Sequence, residues 1–312
     1  MGIRNEKFYG RAKETKVIDF LGKKKIFFIL SAVVIIAGFV TMGVHKGNGG
    51  DALNYSLEFK GGTSTSVEFN EDMSIEELDE KVVPIIEEIS KDANVQTQKV
   101  QGSNQVIFKS ATLDVSQREE LNSRLEEEFG VDPEKITAET ISSTISSEMR
   151  TGAVSAVVVS TVLMLLYVWF RFKDVRFGAS SVAALVHDVL VVLAFYAAAR
   201  VSVGNTFIAC MLTIVGYSIN ATIVIFDRIR ENMTSYKTKE ELAAIVNRSI
   251  SQTLSRSIFT SLTTFIMVAV LYILGVSSIK EFALPLMVGI ACGTYSSICL
   301  ASAFWYLLRT RK

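Results

Sequence analysis

A chain of 312 residues that is 49% hydrophobic and holds only three prolines favours long apolar helices over a turn-rich soluble fold. Its 32 basic and 32 acidic residues cancel, so no net basic charge marks it for nucleic acid and no such partner is expected. All three cysteines, Cys210, Cys292 and Cys299, sit in apolar stretches, which excludes a disulfide framework for any exterior domain.

A bilayer core of about 30 Å asks for roughly 20 apolar residues at about 1.5 Å each. Six segments pass that test: Ile26–Val44, Thr151–Phe170, Gly178–Ala199, Thr206–Phe226, Ser257–Ile279 and Phe282–Leu308. The first follows a short N-terminal segment, residues 1–25, that ends in Lys23, Lys24 and Lys25. Its 19 uncharged residues exceed a signal-peptide core and no A-x-A-like site follows them, so it reads as a retained anchor.

After it, the Gly-rich "HKGNGGD" leads into residues 45–150, the one soluble stretch large enough to fold by itself. A first strand lies near "YSLEFKGGTSTSVEF", where Ser66 to Phe69 alternates apolar with polar. Ser74 and Glu77 form a capping box opening a helix on which Ile75, Leu78, Val82, Ile86 and Ile89 recur at helical spacing. Strands at 95–100 and 105–109 flank "QGSN", a connection suited to a hairpin. A second helix, Ser116 to Phe129, stops at Gly130, and 135–141 is strand-like. The order βαββαβ predicts an α+β layer, one sheet backed by two helices. In "FKGG", Gly61 and Gly62 read either as a bulge beside the first strand or as a hinge. Glu-rich runs such as Glu126 to Glu128 read as a solvated helix face rather than a metal site.

Polar residues inside the spans need a reason, since an ionisable group near the bilayer centre costs about 2.5–3.5 kcal/mol on insertion scales. His187 and Asp188 lie mid-span in the third segment, where they either relay protons or pin two helices together. The fourth span carries Tyr217, Ser218, Asn220 and Thr222, which read as packing glue, and ends in Asp227, Arg228, Arg230 and Glu231, which read as interfacial anchors. The fifth opens polar around Arg256, at or just within the boundary, where snorkelling is the plain alternative. The sixth opens with Lys280 and Glu281 at its edge. Small-residue runs, "GASSVAA" from Gly178 and "GIACGTYSS" from Gly289, point to close helix packing or a partner subunit.

Charge orients the chain. Between Asp51 and Glu148 there are 22 acidic against 8 basic residues, leaving 24 basic and 10 acidic of the 32 of each outside that window. The basic clusters fall at the N-terminus, at Arg171, Lys173 and Arg176, in the loop 227–256, and in the C-terminal segment 309–312. These alternate with the other connections, so the positive-inside rule places both termini in the cytoplasm and residues 45–150 outside the cytoplasmic membrane.

Taken together, "FKGGT" after the first span, "HDV" in the third, "GYSIN" running into "FDRIREN", "SRSIFTSLTT" at the fifth and "KEFALPLMVGI" at the sixth resemble the SecF branch of the SecD/SecF family. The resemblance spans nearly the whole chain. It implies a six-helix half of a bundle akin to the resistance-nodulation-division exporters, a SecD-like subunit supplying the other half, and a ferredoxin-like exterior domain. It further implies work beside the Sec channel of SecY, SecE and SecG, where an ion gradient, the proton motive force, helps unfolded secretory polypeptides finish crossing. Carried over residue by residue, Asp188, Asp227, Arg256 and Glu281 match family positions and become ion-coupling candidates. The family's aspartate directly after "GYSIN" is here Ala221, which cannot titrate. Coupling then falls to Asp188, Glu281 or a SecD carboxylate, to another ion, or is absent. A self-sufficient small-molecule exporter built as a homodimer of the same fold is the alternative. No nucleophile, metal cluster or phosphate loop points to an enzyme or a cofactor.

Overall fold

The computed structural model describes residues 17–93, 95–100, 102–172, 174–233, 236 and 238–310. Residues 1–16 of the N-terminal segment, Lys173, Lys237 and the last two C-terminal residues, Arg311 and Lys312, which carry part of the basic signal, lie outside them.

Among the described residues, six helical spans form the membrane body, as their apolar length requires. They are α1 (Lys24–Gly47), α6 (Ser143–Phe172), α7 (Val175–Ala199), α8 (Asn205–Asn232), α9 (Lys239–Leu274), and a sixth composed of α10 (Ser277–Tyr295), a π-helical turn (Ser296–Ala301) and α11 (Ser302–Thr310). Helices α7, α8 and α10 form the interior, whereas α1 and α6 expose most of their apolar surface. The segment 227–256, expected to be a loop, is helical at both ends: α8 runs on to Asn232 and α9 begins at Lys239. The α9 extension is polar on one side and apolar on the other: Leu242, Val246 and Ile250 are buried against Phe177, Phe226 and Trp305, a spacing of four that marks one helix face.

Between α1 and α6 lies the α+β domain. A helical turn, α2 (Leu57–Lys60), precedes β1 (Gly62–Glu68); then come α3 (Ile75–Lys81), α4 (Val83–Ser90), β2 (Gln96–Lys99), β3 (Gln105–Ser110), α5 (Val115–Phe129) and β4 (Ile136–Ile141). The sheet order is β2-β3-β1-β4, all antiparallel, which is the ferredoxin-like arrangement the order βαββαβ predicts. Alternation on β3 sends Val106 and Phe108 into the helix-backed core with Val67, Leu78, Ile86, Leu121 and Leu125, and leaves Lys109 on the open face.

Two local expectations change. The helix opened by Ser74 keeps its capping box but breaks at Val82, because Pro84 has no N–H and its ring clashes with the carbonyl four residues back. The first strand starts only at Gly62, since Leu57–Lys60 forms a helical turn that packs on α6.

The domain is tied to the bundle by backbone as well as side chains. Ser56 N–H donates to Val203 O at 2.9 Å and Val203 N–H to Asn54 O at 2.7 Å. Gly204, at the start of α8, offers no capping side chain; Glu58 Oε2 accepts from Asn205 N at 2.7 Å instead, setting a carboxylate at the positive end of the helix dipole.

Candidate functional site

Asp188 lies midway along α7, about 17 Å from the nearer end at ~1.5 Å per residue, and its side chain is 0% exposed. A charge there survives only with a full set of donors. Four are present. Ser218 Oγ of α8 donates to Oδ2 at 2.5 Å, and Ser296 Oγ of the π-turn donates to the same oxygen at 2.8 Å. Cys292 Sγ of α10 donates to Oδ1 at 3.3 Å, and His187 Nδ1, when protonated, donates to it at 3.0 Å. The carboxylate thereby joins three helices, while His187 Nε2 is buried with no hydrogen-bond partner among the described residues.

Close backbone approach makes this geometry available. A Cβ added to Gly289 would fall 2.2 Å from Ile214 Cδ1, and one on Gly293 would fall 3.0 Å from Ser218 Cβ. This small-xxx-small pair lets α8 lie against α10. Beyond Gly293 the chain fans out: Thr294 Oγ1 donates to Ser261 Oγ of α9 at 2.6 Å, Tyr295 OH to Phe27 O of α1 at 2.8 Å, and Ser297 Oγ to Ser218 O at 3.2 Å. Thr222 Oγ1 and Ser297 Oγ share a further bond at 2.9 Å. The π-turn widens the helix where these side chains diverge, as such turns do at many functional sites. His187 Nδ1, Asp188 Oδ1 and Cys292 Sγ all lie within 4.8 Å of one another, a donor set that could also take a metal ion.

The polar residues of the fourth span divide between two faces. Ser218 and Thr222, four apart, face the Asp188 cluster. Tyr217, Asn220 and Ala221 instead line a narrow cleft of about 60 Å³ with Arg256, Ser257, Thr260 and Ser261 on the outside of α8 and α9. Arg256 and Asn220 are exposed there, and Tyr217 OH and Ser257 Oγ are buried without a hydrogen-bond partner among the described residues.

The remaining candidates lie at the bundle ends. Asp227 pairs with Arg171 at 2.7 Å and with Arg230 at 3.7 Å. At the end nearer the α+β domain, Glu281 Oε1 accepts from Gln98 Nε2 at 3.3 Å, and Gln98 Oε1 accepts from Lys109 Nζ at 3.1 Å. Burial pushes the Lys109 pKa below its usual range, and the Glu281 charge only partly opposes this. Gly61 and Gly62 have φ of +77° and +126°, and a Cβ on Gly62 would fall 2.3 Å from Ser110 O. Both positions therefore demand glycine.

The sequence does not link Ser296 or Cys292 to Asp188; their run points there to close helix packing or a partner subunit. The i, i+4 spacing of Ser218 and Thr222 was the available signal that the motif has two faces.

The family model described as protein export membrane protein SecD/SecF, C-terminal, matches residues 121–311. The chain is 36% identical to the protein translocase subunit SecF of Sebaldella termitidis, over 95% of this chain and 93% of that one. It is 33% identical to the protein translocase subunit SecDF of Bacillus subtilis, covering 94% of this chain and 38% of that longer one. The crystal structure of SecDF, a translocon-associated membrane protein, from Thermus thermophilus superposes with a TM-score of 0.78 at 35% identity. That match covers 95% of this chain and 39% of the other, so the chain spans about two fifths of its fused relatives.

Proposed function

Because the chain belongs to the SecD/SecF family of protein-export membrane proteins, we propose that it acts as the SecF-type half of an accessory export unit, paired with a SecD-like subunit beside the Sec channel. In this reading the unit assists late translocation of unfolded polypeptides, both termini are cytoplasmic and the α+β domain is extracytoplasmic. The observation that carries the pairing is the unsatisfied face of α8 and α9. Arg256, exposed on that face and in no ion pair among the described residues, is unfavourable against lipid. A carboxylate from the facing half supplies the missing acceptor.

Asp188 is the ion-coupling carboxylate in this proposal. It is a buried titratable group held jointly by α7, α8 and the π-turn, so a change in its charge alters contacts among three helices at once. One elementary charge moved across 100 mV is worth about 2.3 kcal/mol, enough to bias a rocking motion between halves. Asp227 anchors a helix end, Glu281 latches the α+β domain to α10, and the Gly61–Gly62 pair is the hinge on which that domain moves.

The pairing is tested by gentle solubilisation from native cells. A SecD-like protein co-purifies with the unaltered chain and is lost with Arg256→Leu, whereas Arg256→Lys retains it. Recovery of the unaltered chain alone, or only as copies of itself, contradicts the proposal.

A further inference from the structure

We propose that the cleft between the sheet and the adjoining end of the bundle binds the phosphate headgroup of an anionic phospholipid from the leaflet on that side. The cleft holds about 600 Å³ and is lined by Asn54, Gln98, Lys109, Arg200, Lys280 and Glu281, among others. Its charge runs against that of the domain above it, where 22 acidic residues face 8 basic ones between Asp51 and Glu148.

Lys99 also lines the cleft but is committed to Asp72. Setting it aside leaves Lys109, Arg200 and Lys280 against the single carboxylate of Glu281. Arg200 spends one nitrogen on the Asp51 carbonyl at 3.0 Å, and neither it nor Lys280 is in an ion pair among the described residues. Lys109 is a cation whose burial depresses its pKa, the mark of incomplete counter-charge. A phosphate completes it. Glu281 on the same wall offers an acceptor to a headgroup hydroxyl. Phosphate plus hydroxyls is the chemistry of phosphatidylglycerol.

Position favours a lipid over a soluble anion. Arg200 closes α7 and Lys280 sits in the first turn of α10, so both lie where the spans leave the hydrocarbon. Val201, Tyr272 and Leu284 line the same cleft. Beside Tyr272, Ile273 and Leu274 are 69% and 80% exposed at the end of α9, an apolar approach suited to acyl chains and of no use to an acidic peptide.

The test uses the full chain in phosphatidylcholine nanodiscs doped with spin-labelled phosphatidylglycerol or spin-labelled phosphatidylcholine, reading the motionally restricted fraction by electron paramagnetic resonance. We expect the glycerol lipid to be preferred. Each of Arg200→Gln and Lys280→Gln should cut that preference about fivefold, a cation near the surface being worth ~1 kcal/mol. Lys280→Arg should keep the preference and Glu281→Gln should raise it, results that misfolding cannot produce. Equal restriction of the two lipids, or an unchanged preference in both glutamine variants, overturns the proposal. So does release of the lipid by millimolar inorganic phosphate, which makes the cleft a free-anion site, or by polyglutamate, which makes it a peptide site.

Discussion

At Asp188 the question is how a carboxylate remains tolerable in a bilayer, and four donors from three helices answer it. A hydrogen bond to a charged group contributes about 1.5–3 kcal/mol, so Ser218 and Asp188 should be strongly coupled. A double-mutant cycle of Ser218→Ala and Asp188→Asn, read as the midpoint of denaturant unfolding, should give an interaction of about 1–2 kcal/mol; strict additivity would mean that the two do not cooperate. Lys109 carries the opposite lesson. Its pKa is lower folded than unfolded, so its burial penalty is fully present below the folded value and is relieved as pH rises through that value toward the ordinary 10.5. Lys109→Met should therefore raise Tm by about 2–4 °C for each kcal/mol relieved in zwitterionic lipid near pH 7. That gain should shrink as the buffer approaches pH 10, and a gain independent of pH would show that packing, not charge, limits the site. Asp188 itself was legible as a mid-span anomaly. Its neighbour His187 was legible too, but Cys292 and Ser296 were not: they lie 104 and 108 residues away, and only helix packing brings them together.

At the scale of elements, the sixth span does the most joining. One stretch, Gly289 to Ser297, contacts α8 through its glycines, α7 through Cys292 and Ser296, α9 through Thr294 and α1 through Tyr295. Gly289→Val would force Ile214 aside and push α8 away, at a cost of about 1–3 kcal/mol. Lower thermal stability together with faster hydrogen exchange around Ser218 would report that separation; exchange unchanged at Ser218 would show that the contact does not position it. The spans were readable because six apolar runs of membrane length admit little else, and the caps at Ser74 and Gly130 marked helix ends in the α+β domain. The π-turn and the inward face of each span were not readable, because helices that are apolar nearly all round carry weak periodicity. The fifth span expected over Ser257–Ile279 starts much earlier, at Lys239, because its first turns are amphipathic rather than apolar and pack on the bundle end, and it stops earlier, at Leu274 before Gly275, with Ser277 opening α10.

Across the whole molecule, two connections cross at one point: Gly61 and Gly62 enter the sheet beside the place where β4 ends at Ile141 and α6 begins at Ser143. The α+β domain therefore stands on a narrow double stem, with Glu281 and Gln98 as a latch at its side. One helix, α10, carries the Glu281–Gln98 contact near one end and Cys292 toward the other, so a single helix touches both the Asp188 cluster and the α+β domain. The most direct measurement is secretion of an unfolded client into sealed vesicles holding the Sec channel, the SecD-like subunit and this chain, with and without a pH gradient. The gradient should accelerate completion with the unaltered chain, and Asp188→Asn should abolish the acceleration while leaving the basal, ATP-driven rate intact. Acceleration of equal size in the Asp188→Asn vesicles would place the coupling elsewhere and contradict the role assigned to this carboxylate.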